Sequence, residues 1–222
     1  MLSRPQLAVT RQIEMMNVLM GYEQANQYAV VDDRGAVVGW VAEHDSLARS
    51  VFRNVLHSHR PLRASVLDMA GTELLALRRP FTFINSTIHV TTPDGREIGT
   101  VEQEWHLWRR RYNLFLGDDQ FARIDAGFLS WSFPILGEEG EARALIDRNF
   151  TGFGRELFTD TGHYAVHLDP NVDVAAAITA VSGSSEPVEL GKPLSMDERA
   201  VVLAAGVTID CDYFSRDRGG FM

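Results

Sequence analysis

Cysteine is almost absent from this sequence. Its single cysteine, Cys211, rules out both a disulfide within the chain and a zinc site built from several cysteines. This usage is typical of a protein in a reducing, intracellular compartment. It also leaves no cluster of cysteines that could carry acyl groups.

Long hydrophobic runs are lacking as well. The longest, residues 200–209, has ten residues, about half of what an α-helix needs to cross a bilayer, and charged residues flank it closely. We therefore predict a buried core helix here rather than a membrane span. At the N-terminus Glu14 interrupts the best apolar run, so no secretory signal is predicted. The same segment fits the pattern of a mitochondrial presequence only weakly.

The sequence also lacks an excess of basic residues. The formal net charge is -9 at pH 7, which argues against general nucleic-acid binding and leaves only a local basic patch for anions. The sequence contains no GxSxG elbow, P-loop or dinucleotide fingerprint, so neither a catalytic residue nor a nucleotide cofactor is predicted. Its 222 residues suffice for a buried core. With no sign of a second domain, residues 1–222 are predicted to form one.

What the sequence does contain is a recurring hairpin pattern. A short apolar or alternating run leads into an acidic turn with glycine, and a second run follows. Glycine takes positive φ and Asp or Pro opens the turn, which is the chemistry of tight β-turns. The pattern predicts consecutive hairpins of one antiparallel sheet at residues 28–43, 64–77, 88–105 and 133–146.

The clearest helix signal lies near the C-terminus. Ser195 stands at the N-cap position and Glu198 completes a capping box, so a helix is predicted over residues 195–211, after a polar loop at 182–193. Its apolar residues lie on every side, which in a soluble protein requires burial all round. A sheet closed around this helix would meet that need and remove its own exposed edges. We therefore predict a mainly β fold, a closed antiparallel barrel around a central hydrophobic helix.

The remaining segments are less clear. Ser46 is a plausible cap for a helix over residues 46–58, with Leu47 and Val51 on one face. Residues 10–20 fit either a helix or a strand, and this alternative stays open. Residues 1–10 are compatible with disorder.

Five segments of the chain, taken in order, match the pattern of a known family. They are RQIEMMNVLMGYEQANQYAV (11–30), RRPFTFINS (78–86), IGTVEQEWHLWRRRYNLF (98–115), RNFTGFGRELFTDTGHYAV (148–166) and DERAVVLAAGVTIDCDYFSR (197–216). The chain resembles the phospholipid scramblase family, most closely its fungal mitochondrial-type members. The resemblance implies a tubby-like fold, with about twelve antiparallel strands around a hydrophobic C-terminal helix. It also implies ATP-independent movement of phospholipids between leaflets, or assistance to it, by an intracellular, peripheral membrane protein with a mitochondrial location.

The family's calcium segment is only partly present. Its Phe-Thr-Asp start is found at residues 158–160, which makes Asp160 the candidate metal ligand. Gly162 and His163 follow where the family continues with acidic residues. Calcium is therefore the one cofactor that the resemblance suggests, and these departures argue against calcium activation.

Two other patterns suggest metal ligands. Residues 169–173, DPNVD, have the acid spacing of a calcium loop, but Val174 and Ala180 replace the glycine and glutamate that such a loop requires. A polar turn is the better interpretation. His163 and His167 would suit zinc on a helix, but HYAVHL alternates like a strand, so this pair is interpreted as half-exposed barrel wall.

One segment, EWHLWRRRYNLF, stands out for its basic and aromatic residues. As a strand it would place Trp105, Arg109 and Arg111 on one face, and Trp108 and Arg110 on the other. Neither face is cleanly apolar, so the segment is predicted to cross a rim or a turn. Tryptophan beside arginine suits the boundary between lipid tails and phosphate headgroups.

Two shorter clusters, HRPLR and RRPF, precede strands and would join the same surface if they converge in space. The predicted lipid-binding residues are Trp105, Trp108, Arg109, Arg110, Arg111, Arg60, Arg63, Arg78 and Arg79, with anionic phospholipids or a membrane surface as the partner. The alternative is that these arginines pair with nearby carboxylates and stack on the indoles. The chain would accordingly be scramblase-like, an adaptor that binds anionic phospholipids or phosphoinositides without moving them, or a soluble protein-interaction barrel.

Overall fold

The chain forms a closed β-barrel in a computed structural model that describes residues 1–11, 26–44, 61–82, 84–148, 163–183 and 186–214. Each strand pairs antiparallel with its neighbours in the chain, and the first pairs with the last to close the barrel. The strands are β1 Gln6–Arg11, β2 Asn26–Asp32, β3 Val37–Glu43, β4 Leu62–Leu67, β5 Glu73–Arg79, β6 Thr87–Thr91, β7 Glu97–Glu104, β8 Arg109–Leu116, β9 Asp119–Gly127, β10 Ser132–Leu136, β11 Ala142–Asp147 and β12 His163–His167. The predicted mainly β, closed antiparallel fold is confirmed.

The four predicted hairpins are all present, as β2–β3, β4–β5, β6–β7 and β10–β11. In the first, the carboxylate of Asp32 accepts hydrogen bonds from the backbone N–H groups of Arg34 and Ala36, both at 3.0 Å. Gly35 takes a φ of 77°, which a side chain would disfavour. The side chain of Asp32 and the freedom of Gly35 together explain why this short acidic stretch reverses the chain.

The barrel interior is filled by a helix, α2, that spans Met196–Ile209. The hydroxyl of Ser195 accepts a hydrogen bond from the backbone N–H of Glu198 at 3.2 Å, and the carboxylate of Glu198 accepts one from the backbone N–H of Ser195 at 2.6 Å. All its residues from 198 onward are buried. The predicted capping box and central helix are confirmed, and a π-helical turn, Asp210–Phe214, continues the helix beyond its predicted end.

A strand occupies the N-terminal segment that the sequence leaves compatible with disorder. Leu7 and Val9 of β1 are buried in the core, and β1 is the strand that closes the barrel against β12. This corrects the expectation for residues 1–10. The proposed helix at 46–58 and most of the ambiguous segment 10–20 lie outside the described residues.

A second helix, α1, spans Val172–Ser182 on the outside of the barrel, and the sequence analysis does not predict it. Asn171 caps this helix, because its side-chain oxygen accepts a hydrogen bond from the backbone N–H of Val174 at 2.9 Å. Ile178 belongs to a buried hydrophobic cluster that also contains Leu145 of β11. In the DPNVD segment, residues 169–171 lead into the helix and Val172 and Asp173 begin it, which corrects the interpretation as a polar turn for those last two residues.

The barrel has two different ends. At one end, tight turns join β2–β3, β4–β5, β6–β7, β8–β9 and β10–β11, and Arg96 of one such turn pairs with Asp197 at the start of α2, with 3.4 Å between Nη1 and Oδ2. Within the described ranges, the β5–β6, β7–β8 and β9–β10 connections lie at the other end. The C-terminal end of α2 points to this second end, where Asp210 pairs with Arg148.

Candidate functional site

The tryptophans singled out in the sequence lie in the connection between β7 and β8. β7 ends at Glu104 and β8 begins at Arg109, so residues 105–108 cross the rim as predicted. Residues 109–115 instead belong to β8, where Tyr112 and Leu114 are buried in the core, which corrects the expectation that the segment is a poor core strand. Trp105 and Trp108 are 61% and 71% exposed, and Leu107 between them is exposed as well. Exposed indoles are unusual on a surface that meets only water, because water solvates their apolar rings poorly.

Two neighbouring connections add more exposed apolar side chains at the same end of the barrel. The β9–β10 connection carries three of them, and Leu129 at its tip is 82% exposed. The β7–β8 and β9–β10 connections are joined directly, because the backbone N–H of Phe128 donates to the carbonyl of Trp108 at 3.2 Å. We call the combined surface the aromatic rim; its members are Phe81, Ile84, Trp105, Leu107, Trp108, Phe128, Leu129 and Trp131.

Arg109 and Arg111 lie beside the aromatic rim, on the outer face of β8, and both are paired with carboxylates. Arg109 donates to Asp125, and Arg111 lies 3.1 Å from Glu104 and 3.4 Å from Asp125. These are the ion pairs that the alternative interpretation of the sequence describes. The charges of the two arginines are therefore largely balanced within the protein.

Arg110 points in the opposite direction, into the barrel, and is only 7% exposed. Its guanidinium carbon lies 5.3 Å from the ring centroid of Phe128 and 5.7 Å from that of Phe133, distances typical of cation–π contacts. Its Nη1 also donates to the carbonyl of Ser130 at 3.4 Å. Arg110 therefore supports the β9–β10 connection from beneath and does not form part of the outer surface.

Arg79 is also inside the barrel, which corrects its assignment to the lipid-binding surface. Its side chain is 1% exposed and pairs with the carboxylate of Asp212 in the π-helical turn. Burial lowers the pKa of Arg79, but the charge and hydrogen bond of Asp212, together with the nearby Cys211 and Tyr112, outweigh that effect and the pKa is raised. The arginine is thus held in its charged form by a partner within the chain.

Arg63 and Arg78 are the exposed arginines on the wall below the aromatic rim. They are direct cross-strand neighbours on β4 and β5. Within the described part of the chain, neither side chain has a carboxylate at ion-pair distance. Two like charges placed side by side repel each other, so a bound anion such as a phosphate would relieve that repulsion.

The metal candidates find little support in the described ranges. Asp160 lies outside them, as does Arg60 of the predicted lipid surface. Among the described residues, no three His, Cys, Asp or Glu side chains are grouped closely enough to hold a metal ion. His163 and His167 belong to β12, which confirms that their segment is a strand, and burial lowers the pKa of the half-buried His167.

Comparison with known proteins identifies the family. A family model described as Scramblase matches residues 1–216. This chain belongs to the scramblase family. A phospholipid scramblase family protein of Schizosaccharomyces pombe is 41% identical over 99% of this chain and 62% of its own length. Altered inheritance rate of mitochondria protein 25 of Saccharomyces cerevisiae is 40% identical over the whole chain and 75% of its own length.

More distant scramblase relatives are found in animals. Phospholipid scramblase 1 of Mus musculus is 28% identical over 76% of this chain and 55% of its own length. A solved structure of a protein from Arabidopsis thaliana covers 81% of the chain at 16% identity with a TM-score of 0.41, and 92% of that protein is covered in turn. In the described part of this scramblase family member, no helix has the length and apolar character needed to cross a bilayer.

Proposed function

We propose that this protein works at phospholipid membranes as a scramblase-like protein, which moves phospholipids between leaflets without ATP or assists that movement. The observation that carries the proposal is the pair of exposed tryptophans on the aromatic rim, Trp105 and Trp108. Indole rings are enriched at the boundary between headgroups and acyl chains, where the ring is desolvated while its N–H still finds a partner. Membership of the scramblase family supports the same activity.

We infer that transport is passive. The absence of a P-loop or other nucleotide motif from the sequence supports lipid movement down the existing gradient. The interior of the barrel is occupied by α2, which leaves the outer surface and the rim as the places where a phospholipid would be handled. We infer that the protein acts by disturbing the bilayer locally or as a subunit of a larger assembly.

Reconstitution tests the transport activity. The purified protein is placed in vesicles that hold a fluorescent phospholipid in both leaflets, and the outer leaflet is bleached chemically without ATP. We expect fluorescence protected in the inner leaflet to fall with increasing protein. A Trp105→Ala/Trp108→Ala variant should lose most of this effect, whereas Val172→Ala at the opposite end should keep it. Baseline lipid flip-flop at high protein density removes the transport proposal.

The second candidate function is an adaptor that binds anionic phospholipids or phosphoinositides without moving them. The observation that favours it is the exposed pair Arg63 and Arg78, which could hold a phosphate between two guanidinium groups. Each basic group near an anionic membrane surface contributes about 1 kcal/mol, so the two together are worth roughly 30-fold in affinity.

Vesicle flotation distinguishes the adaptor from the transporter. The Arg63→Ala/Arg78→Ala variant should bind phosphatidylserine vesicles roughly 30-fold more weakly than the parent. Arg109→Ala/Arg111→Ala is the matched control, because these arginines already have carboxylate partners and their loss should cost little. Binding without any protein-dependent lipid movement would favour the adaptor, and equal losses in both double variants would contradict it.

We further propose a mitochondrial, peripheral membrane location. The support is the 40% identical yeast relative, whose name refers to mitochondrial inheritance. Subcellular fractionation with alkaline extraction tests the proposal. A peripheral protein is expected in the mitochondrial fraction and in the alkaline extract, and recovery in another membrane fraction would contradict the mitochondrial location.

A further inference from the structure

The end of the barrel opposite the aromatic rim carries a high density of exposed acidic side chains. The tight turns at this end bring carboxylates from four different hairpins to one surface. We call this surface the acidic end; its exposed members include Asp33, Asp94, Asp118, Asp119, Glu138 and Glu139. The start of α2 adds Asp197. The same turns also carry two exposed arginines, Arg34 and Arg96, but the carboxylates outnumber them and the acidic end has a net negative charge.

The two ends of the barrel thus differ in the chemistry of their exposed side chains. Among the residues that the structure describes, one end presents apolar and aromatic tips on three connections, and the other presents carboxylates on tight turns. Strand β8 has eight residues, so at about 3.3 Å per residue and with the usual tilt of barrel strands the two ends lie roughly 20 Å apart. That is about two Debye lengths at physiological ionic strength.

We propose that the protein stands on a bilayer on its aromatic rim, with the tips of the three connections inserted among the headgroups and upper acyl chains and with the acidic end in water. The proposed function is the basis for taking a membrane as the partner, and the pose specifies how this scramblase family member meets it. In this orientation Arg63 and Arg78, just below the rim, lie at the depth of the lipid phosphates. The acidic end lies too far from the surface to be strongly repelled by anionic headgroups.

The shape of the aromatic rim favours a bilayer over another protein as its occupant. Its apolar side chains project from separate connections, and Leu129 stands 82% exposed at one tip. A fluid bilayer accommodates separate projections, whereas a protein partner would need a matching pocket for each. With Arg63 and Arg78 below the exposed tryptophans, the surface also repeats the order of chemical groups across a membrane interface, from acyl chain to phosphate.

The connections that form the rim are held in place before any contact with lipid. The backbone N–H of Arg148 donates to the carbonyl of Trp131 at 2.9 Å, which ties the β9–β10 connection to the end of β11. Trp105 is fixed by a hydrogen bond of 2.9 Å from its backbone N–H to the side-chain oxygen of Asn85. Little backbone conformational entropy therefore remains to be lost in these connections when their tips enter the bilayer.

Vesicle binding by single charge substitutions tests the pose. Leu107→Glu and Leu129→Glu place a carboxylate on the rim, and each should weaken binding to vesicles of phosphatidylcholine with a minor fraction of phosphatidylserine roughly 10- to 100-fold. Met69→Glu is the matched control, because Met69 is an apolar residue 57% exposed in the turn between β4 and β5 at the acidic end. Binding by Met69→Glu should equal that of the parent. Loss of binding in the control, or unchanged binding in both rim variants, overturns the pose.

An environment-sensitive dye provides a second measurement. The dye is attached to Leu129→Cys or to Met69→Cys, while the native Cys211 is buried and reacts slowly. Vesicles should shift the emission of the Leu129→Cys conjugate to shorter wavelength and leave the Met69→Cys conjugate unchanged. The reverse pattern would overturn the proposed orientation.

The same variants separate failure of the pose from failure of the proposed function. Rim insertion without lipid movement leaves the pose intact and removes the transport activity. Lipid movement that is unaffected by Leu129→Glu would contradict the pose and leave the transport activity intact. Sedimentation without vesicles addresses the remaining occupant: self-association of the parent that Leu129→Glu abolishes would assign the rim to contact between two copies and would overturn the membrane pose.

Discussion

Arg79 on β5 and Asp212 in the turn after α2 form an ion pair inside the barrel, where each side chain is 1% exposed. The hydroxyl of Tyr112 donates to the second carboxylate oxygen of Asp212 at 3.0 Å. A strand from the first half of the chain is thereby fastened to the last element of the central helix. The pair anchors α2 in the barrel at the end that carries the aromatic rim.

Removing one partner of this pair should destabilise the protein strongly. Asp212→Ala would leave the guanidinium of Arg79 buried without its counter-charge, and we expect a loss of about 3–5 kcal/mol in the free energy of unfolding. Urea denaturation measures the loss. Arg79→Met/Asp212→Leu, which removes both charges, should recover much of it. A cost below 1 kcal/mol for the single variant would show that the pair does not anchor the helix.

A methyl group at Gly99 should also weaken the barrel. A Cβ built there would lie 2.1 Å from the carbonyl oxygen of Phe115 on β8 and 3.0 Å from a methyl group of Val201 on α2. Because backbone and helix would have to shift, Gly99→Ala should cost about 1–3 kcal/mol in thermal or urea unfolding. Gly127→Ala, where a Cβ meets nothing within 4 Å, is the control. Equal stability of the two variants would contradict the close packing of α2 on β7.

Acid should weaken the start of α2 through Glu198. Burial raises the pKa of this carboxyl, but hydrogen bonds from Ser195 and the charge of Arg143 outweigh it and hold the pKa below its ordinary value of 4.5. A lowered pKa means that the stabilisation is present above pH 4.5 and is lost as the pH falls through the lower value of the folded state.

The pH dependence of unfolding in two variants checks this assignment. Glu198→Gln should be less stable than the parent at about pH 6, and the difference should shrink as the pH approaches roughly 3. Asp197→Asn is the control, because its carboxylate is exposed and forms only a surface ion pair with Arg96. A difference that stays constant with pH would show that the charge of Glu198 contributes nothing.

Arg110 should stiffen the aromatic rim from below. Arg110→Met removes its cation–π contacts with Phe128 and Phe133 and its hydrogen bond to Ser130, so amide exchange across residues 128–131 should become faster, by about 1–2 kcal/mol in local opening free energy. Arg109→Met, on the outer face of the same strand, should leave this exchange unchanged. Equal exchange in both variants would contradict the supporting role.

Turn and cap chemistry explain why so much of the fold could be predicted. The turn at Asp32 and Gly35 depends only on residues close together in the sequence, and so does the capping box of Ser195 and Glu198. Such local motifs can be predicted from the sequence alone. The closed barrel follows less directly, from the need to surround a helix that is apolar on all sides. α1 was missed because the cap at Asn171 sits in a segment whose acid spacing suggests a loop.

The environments of the arginines could not be predicted from local sequence patterns alone. Arg79 alternates in phase with Leu75 and Leu77, so its position in β5 does indicate an interior side chain. Its ion-pair partner, Asp212, lies 133 residues away, and no local pattern predicts that pairing. The exposure of Phe128 and Leu129 could not be predicted from the sequence either, because an apolar run between two strands normally predicts burial. The aromatic rim therefore emerges only when three distant connections are seen at one end of the barrel.

The closure of the barrel has a consequence for how the chain is made. Leu7 of β1 pairs with Val166 of β12, and Arg199 of α2 donates to the carbonyls of Leu2 and Arg4, each at 3.1 Å. A growing polypeptide cannot complete these contacts until its last third has left the ribosome. Until then the sheet is open and its apolar face is exposed to solvent. Synthesis of this protein should therefore depend on chaperones that shield nascent chains.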